Sequence, residues 1–278
     1  CRHYGKNVIL LIDEYDVLLD KAFQYGYYDQ MVSLLRVMFG NALKTNPSLY
    51  FAVLTGCLRI SKESIFTGTN NFVSDTITSS HLNEYFGFTQ KDVDSLLEVM
   101  QAAEQAENVR KWYDGYHFGE FDVYCPWDVM NYLRDLQRDD KAKPASYWKN
   151  TSDNAIIRSF IDYAGSSITQ KLETLLSGGY IVQQVDENLT YDYLHSSEEN
   201  LWSILYLTGY LTSVRVHNLE NPLPDRFTAL TIPNEEIREI YETTVIRWFD
   251  ESAPKWNRSE LFDAVWSGDI RKLQDELN

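Results

Sequence analysis

The sequence predicts an α/β fold that passes into a mainly helical region, and three observations predict it. Two short apolar runs, Val8 to Ile12 and the stretch LYFAVLTG at 49–56, are separated by enough chain for a helical crossover. Each run ends in polar residues, with Asp13, Glu14 and Asp16 after the first and Thr55 and Gly56 after the second. From Thr89 onward, apolar residues recur at helical rather than strand spacing.

Val8 to Ile12 is continuously apolar, as expected of a parallel strand covered on both faces and central in its sheet. Met31, Leu34, Leu35, Met38 and Phe39 then follow a helical period, and Asn46-Pro47 stops that helix. The second apolar run completes a right-handed βαβ unit. Ligands of such sheets bind outside the carboxyl ends of the strands, so Asp13, Glu14 and Thr55 are expected along one rim.

Thr89 and Asp92 read as a helix-capping pair ahead of an apolar stripe of Val93, Leu96, Leu97 and Met100. The stretch WYDGYHFGEFDVYCPWDV carries turn signals at Asp114-Gly115 and Gly119. QRDDKAKPAS (137–146) reads as a surface connection, and further helices follow, with Gly178-Gly179 as a stop. The segment 198–250 reads as a helix, a break at Gly209, a two-stranded wing around NLENPLPD, and a helix capped by Asn234. The stripe of that last helix is Ile237, Ile240, Tyr241, Val245, Trp248 and Phe249, which makes a winged-helix-like order. Residues 258–277 read as two short helices.

Composition narrows the function. A chain of 278 residues with 44% hydrophobic content has a sizeable core, and no apolar run approaches the length of a membrane span. A net charge of −16 opposes tight binding to nucleic acid, because a polyanion is repelled at long range. Cys1, Cys57 and Cys125 form neither a disulfide framework nor a zinc motif, which points to a cytoplasmic setting. A start at Cys1 rather than Met reads as a fragment.

The carboxylates carry the chemistry. VILLIDE has the Walker-B shape of P-loop NTPases: Asp13 as the Mg²⁺ ligand and Glu14 as the general base that polarises water against the γ-phosphate of ATP. The plainer alternative is a strand whose terminal acids face solvent or cap the next helix. Thr55 stands where a sensor residue reaches the attacking water or the γ-phosphate. Arg59 is placed to neutralise phosphate charge, although on that residue alone an ordinary salt bridge is the stronger reading.

LLIDEYD, FAVLTGCLRISKESIFTGTNNF, EYFGFT, WYDGYHFG, YWKNTSDN and IPNEEIREIY together resemble the AAA-ATPase-like family, in order and over nearly the whole chain. The resemblance implies part of a P-loop ATPase core at 1–88, a helical lid at 89–197 and a winged-helix-like region at 198–252. Residues 253–278 would begin a C-terminal extension, the place where members usually carry a PD-(D/E)XK nuclease domain. It makes Asp13 and Glu14 the Walker-B pair, ATP and Mg²⁺ the cofactors, and the attached effector domain the partner. Apart from the resemblance, Arg215 and Arg226 are nearly alone as cations in 198–250, beside Asp225, Glu235, Glu236 and Glu239, so protein or intramolecular contacts are expected there rather than tight DNA binding. The sequence departs from the family in one respect: no GxxxxGK[ST] phosphate loop occurs in it, since Gly5-Lys6 lacks the earlier Gly and precedes a strand.

Two other functions compete. One is a non-catalytic interaction module on a degenerate nucleotide fold. The other is a carbohydrate-active enzyme built on WYDGYHFG and YWKNTSDN, with Asp114 and Asp153 as acids. Aromatics beside polar groups are more often packing with satisfied hydroxyls, and Cys125 is most simply a small buried hydrophobe.

Overall fold

The computed structural model describes residues 3–57, 73–148, 166–187, 189, 198–219 and 221–252. The described chain is mixed α/β with small sheets. Arg59, Asp153 and the expected helices of 258–277 lie outside the described residues.

Strand β1 (Val8–Ile12) pairs in parallel with β2 (Leu49–Leu54), as the two apolar runs predict. Between them run α1 (Val17–Gln24) and α2 (Tyr28–Leu43). Leu19 and Ala22 of α1 are fully buried, as are Leu35 and Phe39 of α2 or nearly so. The buried face of α2 is Val32, Leu35, Phe39 and Leu43, whereas Leu34 and Met38 are exposed. The expected stripe is therefore turned by a fraction of a helical turn: Leu35 and Phe39 fit either face, and Val32 and Leu43 complete the one that packs.

Burial of the strands on both faces is not seen. Ile9 and Leu11 pair with Phe51 and Val53 on one face, and their exposures run from 41% for Val53 to 72% for Leu11. Leu10, Ile12, Ala52 and Leu54, on the opposite face, are partly buried. The helices therefore pack on that side, and no second layer covers the other among the described residues. Nor is β1 central, because β2 is its one neighbour there.

Helix α3 (Gln90–Val99) begins with the predicted capping box, in which Thr89 and Asp92 bond reciprocally. Helix α4 (Ala106–Tyr113) leads into a hairpin of β3 (Tyr116–Phe118) and β4 (Phe121–Val123), and α5 (Pro126–Arg138) follows with Pro126 at its first turn. Val93, Leu97, Val109, Tyr113, Val129 and Tyr132 form one core across these elements. The rings are buried with their hydroxyls satisfied: Tyr113 Oη donates to Ala145 O at 3.1 Å and Tyr132 Oη to Gln105 Oε1 at 2.8 Å. Each contributes the apolar gain, about 1.5–3 kcal/mol, without a desolvated orphan.

The next elements are α6 (Ser166–Leu176), β5 (Ile181–Gln184), α7 (Glu198–Leu207), β6 (Thr212–Ser213), β7 (Phe227–Thr231) and α8 (Glu235–Ser252). Helix α6 stops at the predicted Gly178-Gly179, where Gly179 N–H bonds back to Thr174 O at 2.9 Å. Trp202 of α7 is fully buried, and Asn234 caps α8 by accepting from Ile237 N–H at 3.0 Å.

The strands form an antiparallel sheet in the order β5-β7-β6, not a two-stranded wing. Its third strand, β5, comes from a segment expected to be helical lid, so the boundary expected at 197 falls between strands of one sheet. Two compact units divide the chain, 1–238 and 239–278. Among the described residues no helix is long and apolar enough to cross a membrane.

Candidate functional site

The parallel register sets Ile12 beside Leu54 and so brings Asp13 and Thr55 together at the strand tips. Thr55 N–H donates to Ile12 O at 2.9 Å, and Tyr15 N–H returns to Thr55 O at 3.1 Å. The Thr55 hydroxyl donates to Asp13 Oδ1, while its oxygen faces Glu14 N–H at 3.4 Å. Asp13 and Glu14 are exposed and Thr55 is half-buried. Three sequence-predicted residues thus meet on one rim.

Glu14 has φ 51°, the left-handed region that a non-glycine residue enters at a cost of about 1–2 kcal/mol. The turn that imposes it is stitched to β2 on both sides of Glu14, by Asp13 and by Tyr15. Such strain persists where the surroundings over-determine the backbone, and it clusters at functional sites.

Asp16 explains why the run holds three carboxylates. It is buried, and its Oδ2 accepts Cys57 N–H at 2.9 Å. A Cβ at Gly56 would lie 2.6 Å from Asp16 Oδ1 and 3.0 Å from the Tyr15 ring, so only glycine lets the turn after β2 approach this closely. Asp16 is a positioning residue that ties the two tips together. Sequence reasoning missed this role; the one available signal was the Thr55-Gly56 pair facing a surplus acid.

Charge at the tips is concentrated. Burial of the Cys57 sulfur, then the charges of Asp16, Glu14 and Asp13, push the thiol up to about 11, although the residue as a whole is exposed. Its thiol therefore stays protonated near neutral pH and is a poor nucleophile. Burial disfavours charge of either sign, but the carboxylate share of that shift, from Asp16, Glu14 and Asp13, is one that favours a cation. Among the described residues no cluster of three or more His, Cys, Asp or Glu side chains forms a complete metal cage. One carboxylate and one hydroxyl instead fit Mg²⁺, which is held by one or two carboxylates and takes its other ligands from phosphates and water.

The aromatic block is used differently. Tyr113 is fully buried, and the following hairpin is pinned by charge: His117 Nδ1 lies 2.7 Å from Asp122 Oδ1, and Arg215 bonds both Asp122 and Gly119 O, the latter at 2.7 Å. Burial raises the Asp114 carboxyl, whose ion-pair partner is Arg110 at 3.9 Å. Burial also pushes the Cys125 thiol up, followed by the charge of Asp128.

Residues 1–66 match the family model described as AAA-ATPase-like, predicted AAA-ATPase. The chain's opening segment is thus similar to the AAA-ATPase-like family. The matched residues include both strands and the whole of the Asp13–Thr55 rim. An uncharacterized protein in the vnfD 5' region of Azotobacter chroococcum mcd 1 is 24% identical over 273 residues, 97% of this chain. The chain spans 49% of that relative's length. No solved structure matches the chain.

Proposed function

We propose that the β1–β2 tip is the Mg-nucleotide site of an ATPase, and that nucleotide state in the intact protein controls an attached effector domain. The observation that carries this reading is the Asp13–Thr55 contact across two parallel strand tips, beside a Glu14 whose backbone is held in a strained turn. Bound Mg-ATP would bring the γ-phosphate and the charge-neutralising cation. Asp13 would hold the cation, Thr55 would orient the Asp13 carboxylate through its hydroxyl, and Glu14, exposed on the rim, would take a proton from water. The family match over 1–66 supports the same assignment.

Phosphoryl transfer also needs backbone N–H groups and a Lys around the β- and γ-phosphates, and the sequence of 1–278 holds no GxxxxGK[ST] loop to supply them. Polypeptide 1–278 alone should therefore bind ATP with a Kd in the millimolar range or weaker, about −4 kcal/mol. The test is Mg-ATP binding by calorimetry to 1–278 and to the intact protein, each with Asp13→Ala. Asp13→Ala should weaken binding to the intact protein at least tenfold, about 1.4 kcal/mol. Unchanged affinity would sink the site.

The β5-β7-β6 region is proposed to serve protein contacts rather than nucleic acid. Arg215, one of its few cations, is already engaged by Asp122 and Gly119. Sub-micromolar DNA binding at physiological salt would overturn this.

A further inference from the structure

Two helix N-termini converge on a buried pair of acids. Asp128 lies in the first turn of α5 and Glu236 in the first turn of α8, and each is 1% exposed. Both helix starts are tied to the same segment, since Cys125 N–H donates to Tyr113 O at 3.1 Å and Asn234 Nδ2 to Asp114 O at 2.9 Å, and each acid perturbs the other's ionisation. Trp148 N–H donates to Glu236 Oε1 at 2.8 Å, and the Cys125 thiol and Asp128 interact at the start of α5. Asp128 Oδ1 is buried with no donor directed at it. Two carboxylates cannot face one another in a dry site without a proton between them.

The other titratable groups facing the pair are the phenols of Tyr113 and Tyr116 and the Cys125 thiol, all kept neutral by burial. Two cations close to the start of α8 are engaged by the neighbouring acid: Lys111 and Arg238 lie 3.9 and 3.8 Å from Glu235. No positive group among the described residues thus offsets a second negative charge.

We propose that Asp128 and Glu236 share one proton and form a latch between the first turns of α5 and α8, which opens when alkali removes that proton. Burial, then the charge of Asp128, pushes the Glu236 carboxyl up to about 8 from an ordinary 4.5, and burial raises Asp128 as well. The folded carboxyl is thus the weaker acid. Its contribution to stability is fully present below about 4.5 and is lost as pH rises through about 8. The latch also holds the backbone at Trp148, through the hydrogen bond that Glu236 accepts.

The experiment has two arms on the purified protein. In the first, ¹³C-carboxyl-labelled glutamate and aspartate are followed by NMR from about pH 4 to about pH 10, a range that brackets the ordinary and raised values. One carboxyl of the pair should titrate well above the ordinary carboxylate range; if every Glu and every Asp titrates within that range, the proposal falls, whatever the variants do. In the second, hydrogen exchange of the peptide containing Trp148 is measured across the same range and corrected for intrinsic exchange. Its protection should fall by up to about tenfold per pH unit between about 4.5 and about 8, and level off above that. In Glu236→Gln and Asp128→Asn an amide N–H replaces the shared proton and does not dissociate, so protection should be flat. A wild-type slope retained in both variants would assign the opening to other groups and overturn the latch.

Discussion

Replacing Glu14 with Gln in the intact protein should slow Mg-ATP hydrolysis by about 10²–10⁴-fold and leave ATP bound, because on the proposed assignment the substitution removes a general base and little else. Gln keeps the length of the side chain and is no worse suited than Glu to φ 51°, so the turn to Thr55 is preserved. On the proposed assignment, cation binding rests on Asp13 and should survive. Single-turnover hydrolysis set against equilibrium binding of ATP separates the two steps. A fall in affinity with an unchanged hydrolysis rate for bound ATP would mean that Glu14 holds the nucleotide and some other group activates water. The strain supplies a control. Glu14→Gly should raise thermal stability while abolishing turnover, since glycine enters the left-handed region without the steric penalty. An active site that gives up stability for its geometry behaves in that way.

The strand tips were legible because two things coincide there in the sequence: apolar runs of strand length, and polar residues immediately after each. Thr89–Asp92, Asn234 and Gly178-Gly179 were legible for a similar reason, since caps and stops act within a few residues of chain. What escaped depends on distant partners. Strand β5 is four residues of alternation, Ile181 and Gln183 inward and Val182 and Gln184 outward, between helices, and it becomes a strand by pairing with β7, far along the chain. The Asp16–Cys57 bond spans 41 residues, and the Glu236–Trp148 bond spans 88. An acid in the first turn of a helix normally reads as dipole compensation at the surface, and nothing local to Asp128 or Glu236 announces burial. The open face of Ile9, Leu11, Phe51 and Val53 escaped for the opposite reason. Apolar strands predict a cover, but periodicity does not say which segment provides it.

Gly115→Ala should be among the most damaging single substitutions in residues 1–238, with a loss of about 3–5 kcal/mol in unfolding free energy. Two effects add. Gly115 has φ +104°, which an L side chain rarely adopts. A Cβ there would also lie 2.2 Å from Pro233 O and 2.9 Å from Pro233 C, both backbone atoms. That backbone cannot retreat cheaply. Asn234, the next residue, donates from Nδ2 to Asp114 O at 2.9 Å while its Oδ1 caps α8, and Glu236 two residues further holds Trp148 N–H. Moving Pro233 would break the cap or the latch. Gly26 provides the comparison, because it has φ +77° and a Cβ added to it would meet nothing within 4 Å. Gly26→Ala should therefore cost about 1–2 kcal/mol, the conformational penalty alone. Urea unfolding of both variants at neutral pH isolates the contact as the difference between them. If Gly115→Ala loses no more than Gly26→Ala, the WYDGYHFG and IPNEE blocks are not held together by this crossing, and the buried acid pair must carry that join by itself.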